Sequence, residues 1–311
     1  MLQQRTVRAN VRGSGVGLHL GVTTNFCIRP ADPDTGIVFV RTDLSPHVAI
    51  PAHARHVVAT RLATTIGVGS ATIGTVEHIL ATLYGLGVDN ARIEVDGPEM
   101  PILDGSAANF VELICASGGT VAQRRPKRFL LVRRAVEVED PDSGRFVRLE
   151  PATSFQIRAS IDFDHPLVSD QRFEIAVSDT AFVREIARAR TFCFAKDIEK
   201  MRAAGLALGG STDNAVVIDD FSIRNPDGLR FPDEFVRHKV LDAIGDLSLV
   251  GAPIIGRYIG VRGGHMMNAS LISALLADAR AFEFVEFNRR TEAAGQALDL
   301  PDFRVGRLAT A

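Results

Sequence analysis

Three stretches of this chain carry ionisable side chains at spacings that could do chemistry together. In "HKVLDAIGD" the residues His238, Asp242 and Asp246 recur every four positions. On a helix of about 100° per residue, with His238 at zero, Asp242 falls near 40°, Asp246 near 80° and Gly245 near 340°. Val236, Val240, Ala243, Leu247 and Val250 gather on the opposite face. One side therefore packs, while the other is polar and carries a small residue that admits a close neighbour. A neutral imidazole and a carboxylate at i and i+4 can share one metal ion. In "TVEHILATLYGL" Glu77 and His78 stand in the first turn of a second predicted helix. There the positive end of the helix helps to keep a carboxylate ionised. Adjacent helical positions diverge by about 100°, so one residue can ligate while the other reaches past it. In "RGGHMMN" His265 follows two glycines, which permit tight backbone approach and aim the ring out of a turn.

Taken singly, each stretch has a plainer description that its spacing favours: a helix salt bridge on a solvated face, a satisfied histidine at a helix start, an ordinary loop histidine. Taken together, the groups complement one another. His78, His238 and Asp242 would form a three-ligand site with a fourth position open, the catalytic kind of zinc centre. Glu77 and His265 would remain as base and acid, and Asp246 as the group that orients an imidazole. Such a set supplies a Lewis acid for a carbonyl, a base for attacking water and an acid for a leaving nitrogen.

The elements that must hold these groups follow from periodicity. Strand and turn patterns dominate the start, with "GVGLHLG" a glycine-punctuated strand or hairpin and "ADPDTGIVFVRTD" a turn followed by a strand. Val76, Ile79, Leu80 and Leu83 then take up helical spacing, with Thr75 as the expected cap and Gly85 or Gly87 as the stop. "NARIEVDG" alternates like a strand, and "SAANFVELICASGG" reads as a helix. The basic, proline-containing "QRRPKRF" at 123–129 is the expected border between units, read as a solvated linker. Beyond it the pattern restarts: alternating strands, a helical "DTAFVREIARA", the His238 helix with Asp233 as cap and Gly251 as stop, and a helical "NASLISALLADARAF". The expectation is an α+β chain of two units of similar plan, 1–125 and 126–290, followed by a weakly patterned tail, 291–311.

Composition limits the function classes. Of 311 residues, 46% are hydrophobic and 23% charged, enough to build a sizeable core. A formal net charge of −2 offers no electrostatic footprint for nucleic acid. Cys27, Cys115 and Cys193 are scattered, with no Cys-x-x-Cys pair, so they are read as small buried hydrophobes in a reducing compartment. The start lacks the apolar segment of a secretory signal, and no run of 18 apolar residues occurs, so a cytoplasmic monomer without a membrane span is expected. "GVGLHLG" and "LGGST" lack the terminal Gly-Lys-Ser/Thr of a phosphate-binding loop.

Longer stretches carry a resemblance. "TVEHILATLYGLGVDNARIEVDGPEMPILDGSAANF", "ARARTFCFAKDIE", "GLALGGSTDNAVV" and "DGLRFPDEFVRHKVLDAIGDL" resemble, in order and register, the UDP-3-O-acyl-N-acetylglucosamine deacetylases, the metal-dependent amidases of lipid A biosynthesis. The likeness runs from about residue 4 to about residue 290. It implies two β-α-α-β units whose helices are sandwiched between two outer sheets, and hydrolysis of the N-acetyl group of an acylated UDP-sugar. It implies Zn2+ (Fe2+ being the alternative metal) held by His78, His238 and Asp242, with Glu77 as general base and His265 as general acid steadied by Asp246. Thr191 would assist at the oxyanion, and Lys239 would lie near the diphosphate. Phe192 and the segment from Cys193 to Val217, which includes Gly210, would form the passage for the acyl chain. Arg262 stands where the family often has a lysine, keeping the charge on a planar fork. Ala63 stands where it often has a cysteine, so no thiolate is expected beside the metal.

Overall fold

The computed structural model describes residues 2–286 of the chain. The expected tail, 291–311, and the last residues of the second unit lie outside the described residues.

The first half is built on two hairpins, Val11–Val16 with Thr23–Pro30 and Ile37–Arg41 with Val48–Pro51. Strand Ala91–Val95 enters between them, antiparallel to Thr23–Pro30 and parallel to Ile37–Arg41. The second half repeats this plan. Hairpins Val136–Asp140 with Arg145–Glu150 and Phe155–Ile161 with Gln171–Ala176 flank strand Ile254–Val261. That strand again runs antiparallel to the first hairpin and parallel to the second. Each half also has an antiparallel pair of its outermost strands, Gln3–Val7 with Thr120–Pro126 and Arg128–Val132 with Phe282–Glu286. The two halves share one strand order and one set of directions. Residue identity does not reveal this, because ladder geometry belongs to the backbone and many side-chain sets satisfy it.

In each half the central strand separates two helices along the chain. The first half has α1 (Glu77–Gly85) and α2 (Ala108–Ala116). Three further segments follow: α3 (Asp179–Ala181), a single turn, then α4 (Ala195–Ala203) and α5 (Glu234–Ser248). The last is α6 (His265–Ala277). α5 packs on α1, on α6 and on strands Phe155–Ile161 and Gln171–Ala176, while α2 packs on Val11–Val16 and α6 on the Val136–Glu150 hairpin. The helices thus form an inner layer between two outer sheets, the α+β arrangement that the resemblance implied. One continuous core crosses the join, with Ile79, Leu80 and Leu83 of α1 and Val240, Leu241 and Ile244 of α5 all buried. Among the described residues no helix is long and apolar enough to cross a membrane.

Several local expectations change. Thr75 does not cap α1: its φ is +56°, its hydroxyl donates to Glu99 at 2.9 Å, and Val76 takes the cap position without a side-chain bond. Gly87, with φ +71°, closes α1 by donating to the Tyr84 carbonyl. Asp233 occupies the cap position of α5 but spends its carboxylate on Arg237, 2.6 Å away. The stretch from Phe182 continues α3 only as a wide turn to Ile186. The cysteines are half-buried and free, not fully buried.

The segment 123–129 is strand rather than linker, with Arg124, Arg125 and Arg128 exposed as expected but Lys127 not. It runs through the ends of two strands, and Lys127 between them is buried, its ammonium donating to Gly87 O and to both oxygens of Asp89 at 2.6–2.7 Å. A charge is tolerated there because an opposite charge meets it, and removing one partner would strand the other.

The face of α5 that carries the ionisable groups is likewise not solvated. His238, Asp242, Gly245 and Asp246 are all buried, because α1 crosses over them. A Cβ built on Gly245 would sit 2.1 Å from the Glu77 carbonyl oxygen, backbone that has no flexible end to move aside. We expect Gly245→Ala to push α1 off α5 and cost about 1–3 kcal/mol of stability, as overpacking does. Chemical denaturation checks this, and an unchanged midpoint would show that the contact is looser than described.

Candidate active site

The crossing of α1 over α5 brings the N-terminal turn of one helix to the middle of the other. His78 Nε2 and His238 Nε2 lie 3.7 and 3.2 Å from the same atom, Oδ1 of Asp242. The imidazole centroids are 5.0 Å apart and the rings nearly perpendicular, so both edges face that oxygen. Three potential ligand atoms of His78, His238 and Asp242 lie within 4.8 Å of one another, a buried set with the spacing of a metal site.

The surroundings set the ligand orientation. Nδ1 of His238 is 3.0 Å from the Ala189 carbonyl, which can only accept, so the proton sits on Nδ1 and the lone pair of Nε2 faces the site. Ala189 is placed by its neighbour: Arg190 donates its backbone N–H and its guanidinium to Glu234, the first residue of α5, at 2.8–3.1 Å. Lys239 donates to Oδ2 of Asp242 at 2.7 Å, leaving Oδ1 toward the imidazoles. Burial opposes ionisation of Asp242, but His238 and Lys239 outweigh it and hold the carboxyl well below the usual range. Burial, reinforced by His238, pushes His78 down to about 3, so its ring is neutral and able to ligate. Among the described residues His78 Nδ1, the ring nitrogen away from Asp242, is buried without a hydrogen-bond partner. Two imidazoles and a carboxylate of this geometry fit a divalent metal ion.

A second buried group lies beside the first. Burial pushes Glu77 up to about 7, with the charges of Asp242 and Asp246 adding to the rise and His265 opposing it. Its Oε2 accepts the backbone N–H of Thr64 at 3.0 Å. His265 opens α6, where a cation is disfavoured by the helix end and by burial. Asp246 overrides both: its Oδ2 is 2.9 Å from His265 Nδ1, and the histidine rises to about 9. Asn268 also donates to that oxygen at 2.8 Å and in turn accepts from Tyr258, while the Thr64 hydroxyl donates to Oδ1 at 2.6 Å. With Nδ1 committed to Asp246, Nε2 of His265 is the nitrogen left toward the site. A cavity of about 560 Å³ is lined by Glu77, His78, Thr191, His238, Asp242 and His265 among others.

This arrangement has known relatives. The family model for UDP-3-O-acyl N-acetylglycosamine deacetylase matches residues 4–277. A UDP-3-O-acyl-N-acetylglucosamine deacetylase of Anaeromyxobacter sp. (strain Fw109-5) is 53% identical over 302 residues, covering 96% of this chain and 98% of its own. One of Myxococcus xanthus (strain DK1622) is 52% identical over 287 residues, 92% of this chain and 90% of its own. One of Acidithiobacillus ferrooxidans (strain ATCC 53993 / BNL-5-31) is 48% identical over 293 residues, 93% and 95%. The chain belongs to the UDP-3-O-acyl N-acetylglycosamine deacetylase family.

In this deacetylase-family chain the other sequence-derived candidates divide. Thr191, Phe192, Lys239 and Arg262 all line the cavity. Thr191 is held by backbone bonds to Gly105 and Val216, both 2.8 Å. Lys239 is committed to Asp242 and lies 5.7 Å from the Phe192 ring centroid. Arg262, with φ +50°, is anchored by its guanidinium on the Ser143 carbonyl. Gly210 is not among the cavity-lining residues. It packs beside Leu18, which is one.

The segment after Phe192 forms a small unit: strand Phe192–Phe194, α4, a loop, and a parallel strand Val216–Ile218. The loop docks on the first half through Leu208 and Gly209, which donate to the carbonyls of His19 and Leu18 at 3.0 Å. Phe163, Phe192, Phe194 and Phe235 form a chain of ring contacts at 4.9–5.8 Å, of which Phe163 and Phe192 line the cavity. Sequence reading missed Thr64, Ala189, Arg190 and Asn268. Ala189 and Arg190 lay in "ARARTF", quoted as part of a longer likeness, and Asn268 ended "RGGHMMN", where only the histidine was read.

The Asp246–His265 pair makes a pH prediction for the metal-free protein. A folded-state value near 9 against the ordinary 6.5 means the pair's stabilisation is fully present below pH 6.5 and fades as pH rises through 9. In Asp246→Asn this loss between pH 6.5 and 9 should largely disappear, and the His265 ring should titrate lower. Melting curves across that range, with NMR titration of the ring, check both.

Proposed function

We propose that this protein removes the N-acetyl group of UDP-3-O-[(3R)-3-hydroxyacyl]-N-acetylglucosamine, giving the free amine and acetate, the committed step of lipid A biosynthesis. One observation carries the reading: in a chain of this family, a buried His78–His238–Asp242 set shares one cavity with an isolated carboxyl, Glu77, and a charged histidine, His265. A divalent ion, taken here as zinc with iron(II) the alternative, would be held by His78, His238 and Asp242 and would supply Lewis acidity toward water and the amide carbonyl.

The protein's own groups do the rest. Glu77, raised to about 7, takes a proton from the attacking water as the new C–O bond forms. The charge that develops on the carbonyl oxygen is met by Thr191 at the cavity wall. His265 Nε2 gives its proton to the nitrogen as the C–N bond breaks, and Asp246 keeps that imidazolium charged and oriented until then. A raised carboxyl and a raised histidine give base and acid the protonation states the reaction needs near neutral pH. Arg262 and Lys239 are assigned to the diphosphate side. The Phe192–Ile218 unit, with Gly210 and Leu18, is assigned to the acyl chain, where burial contributes about 0.8 kcal/mol per methylene. For the unit borders we take 1–125 and 126–290, supported by the strand pairs Gln3–Val7 with Thr120–Pro126 and Arg128–Val132 with Phe282–Glu286.

Glu77→Gln and His265→Ala should each fold, retain metal and lose about 10²–10⁴-fold in turnover, measured as acetate release from the acylated UDP-sugar. Full activity in either removes the acid–base assignment. The same assay on the sugar lacking its acyl chain should be far slower. Equal rates would favour an amidase acting on a different acylated substrate. Asp242→Ala should lose bound metal, as read by elemental analysis of the purified protein, and wild-type stoichiometry in that variant would refute the ligand set.

A further inference from the structure

We propose that Thr64 is a positioning residue that ties the base side of the site to the acid side, so that Glu77 and His265 are set by one residue. The inference rests on the reading of these two groups as base and acid. Thr64 is 2% exposed, and all of its polar atoms are engaged with the site or with the helix that carries it. Its backbone N–H donates to Oε2 of Glu77 at 3.0 Å. Its carbonyl accepts the N–H of Val76, the residue that leads into α1, at 3.3 Å. Its hydroxyl donates to Oδ1 of Asp246 at 2.6 Å, and the hydroxyl oxygen lies 3.3 Å from His265 Nδ1.

These contacts reach three separate elements: α1 with Glu77, α5 with Asp246 and α6 with His265. The hydroxyl does a job that no neighbouring group duplicates. Asn268 and His265 both bond Oδ2 of Asp246, so Thr64 is the side chain holding Oδ1. With both oxygens held, the carboxylate cannot rotate, and the ring it orients keeps Nε2 toward the cavity. The hydroxyl proton goes to the carboxylate, since the 2.6 Å bond is the shorter, and the hydroxyl oxygen then presents a lone pair to the Nδ1–H of His265. The backbone N–H, meanwhile, fixes one oxygen of the Glu77 carboxyl from the same peptide.

Removing only the hydroxyl isolates half of this link. The backbone bond to Glu77 survives in Thr64→Val, so the base stays held while the acid side loosens. In the metal-loaded enzyme acting on the acylated UDP-sugar, Thr64→Val should lower kcat about 10- to 100-fold, the usual effect of removing a group that orients a catalytic residue. KM and bound metal should stay within about twofold of wild type. Thr64→Ser, which restores the hydroxyl, should recover to within about threefold of wild type, the range left for a lost methyl group. Combined with Asp246→Asn, Thr64→Val should add little, because the two act through one carboxylate.

Wild-type kcat in Thr64→Val would overturn the proposal, as would a serine variant no better than the valine one or full additivity with Asp246→Asn. A loss confined to KM or to metal content would also overturn it. If Thr64→Val is not recovered folded, Thr64→Ala enters the same comparisons. Glu77→Gln and His265→Ala separate the two levels. If these are inactive while Thr64→Val is fully active, only the positioning role falls. If these remain active, the base–acid reading itself falls.

Discussion

The site depends on one close approach of backbone, where Glu77 at the head of α1 lies over Gly245 in the middle of α5. No side chain other than hydrogen fits between them. That contact carries Glu77 and His78 onto the stretch from His238 to Asp246, and so joins residues about 160 positions apart into one buried cluster. The two halves of the chain use the same hairpin–strand–hairpin plan, and the seam between their helices is where the chemistry lies. A cleft between two packed units is a common place for a ligand site, because both contribute rigid elements and neither fills the gap.

Burial then decides the charge states. Desolvation acts on every titratable group in the cluster, but the outcome differs with the neighbours. Asp242 has two cationic or polarisable partners and stays ionised well below its ordinary range. Glu77 rises to about 7 through burial, which His265 opposes and the carboxylates of Asp242 and Asp246 reinforce. His78 faces another imidazole and falls to about 3, while His265 has Asp246 at hydrogen-bond distance and rises to about 9. Two histidines and two acids, chemically alike in the unfolded chain, are thereby pushed apart in charge state. The supporting groups matter as much as the reactive ones. Ala189 selects the His238 tautomer, Lys239 selects the Asp242 oxygen, and Asn268 with Thr64 clamps Asp246.

Some of this was legible from residues alone. The four-residue spacing of His238, Asp242 and Asp246, and the adjacency of Glu77 and His78, follow from helical geometry, and the structure brings Glu77, His78, His238 and Asp242 around one cavity with Asp246 bonded to His265 at its wall. Gly245 was recognisable as a place for close approach, though not what approaches. The α+β class and the helices between sheets agree with the long motif likeness. The capping role of Thr75, the solvated reading of Lys127 within 123–129 and the solvated face on α5 failed for one reason. Each assumed that a polar residue faces water or its own helix, whereas a distant partner claimed it: Glu99, Asp89 or the first turn of α1. Asp233 failed differently, because Arg237 one turn along the same helix took its carboxylate.

What the sequence determined by itself is therefore local. It set the period of each helix, the side on which its ionisable groups stand, and the identity of the donor atoms, since these depend on neighbours a few residues away. The tertiary structure decided which of those groups meet, which water abandons, and which hydrogen bonds replace it. Thr64 illustrates the difference. The residues around it give Thr64 itself no role, yet its atoms reach Glu77, Asp246 and His265, 13, 182 and 201 positions along the chain. Local periodicity carries no information about such contacts, because they are created by packing two halves whose separate folds each leave one helical face uncovered.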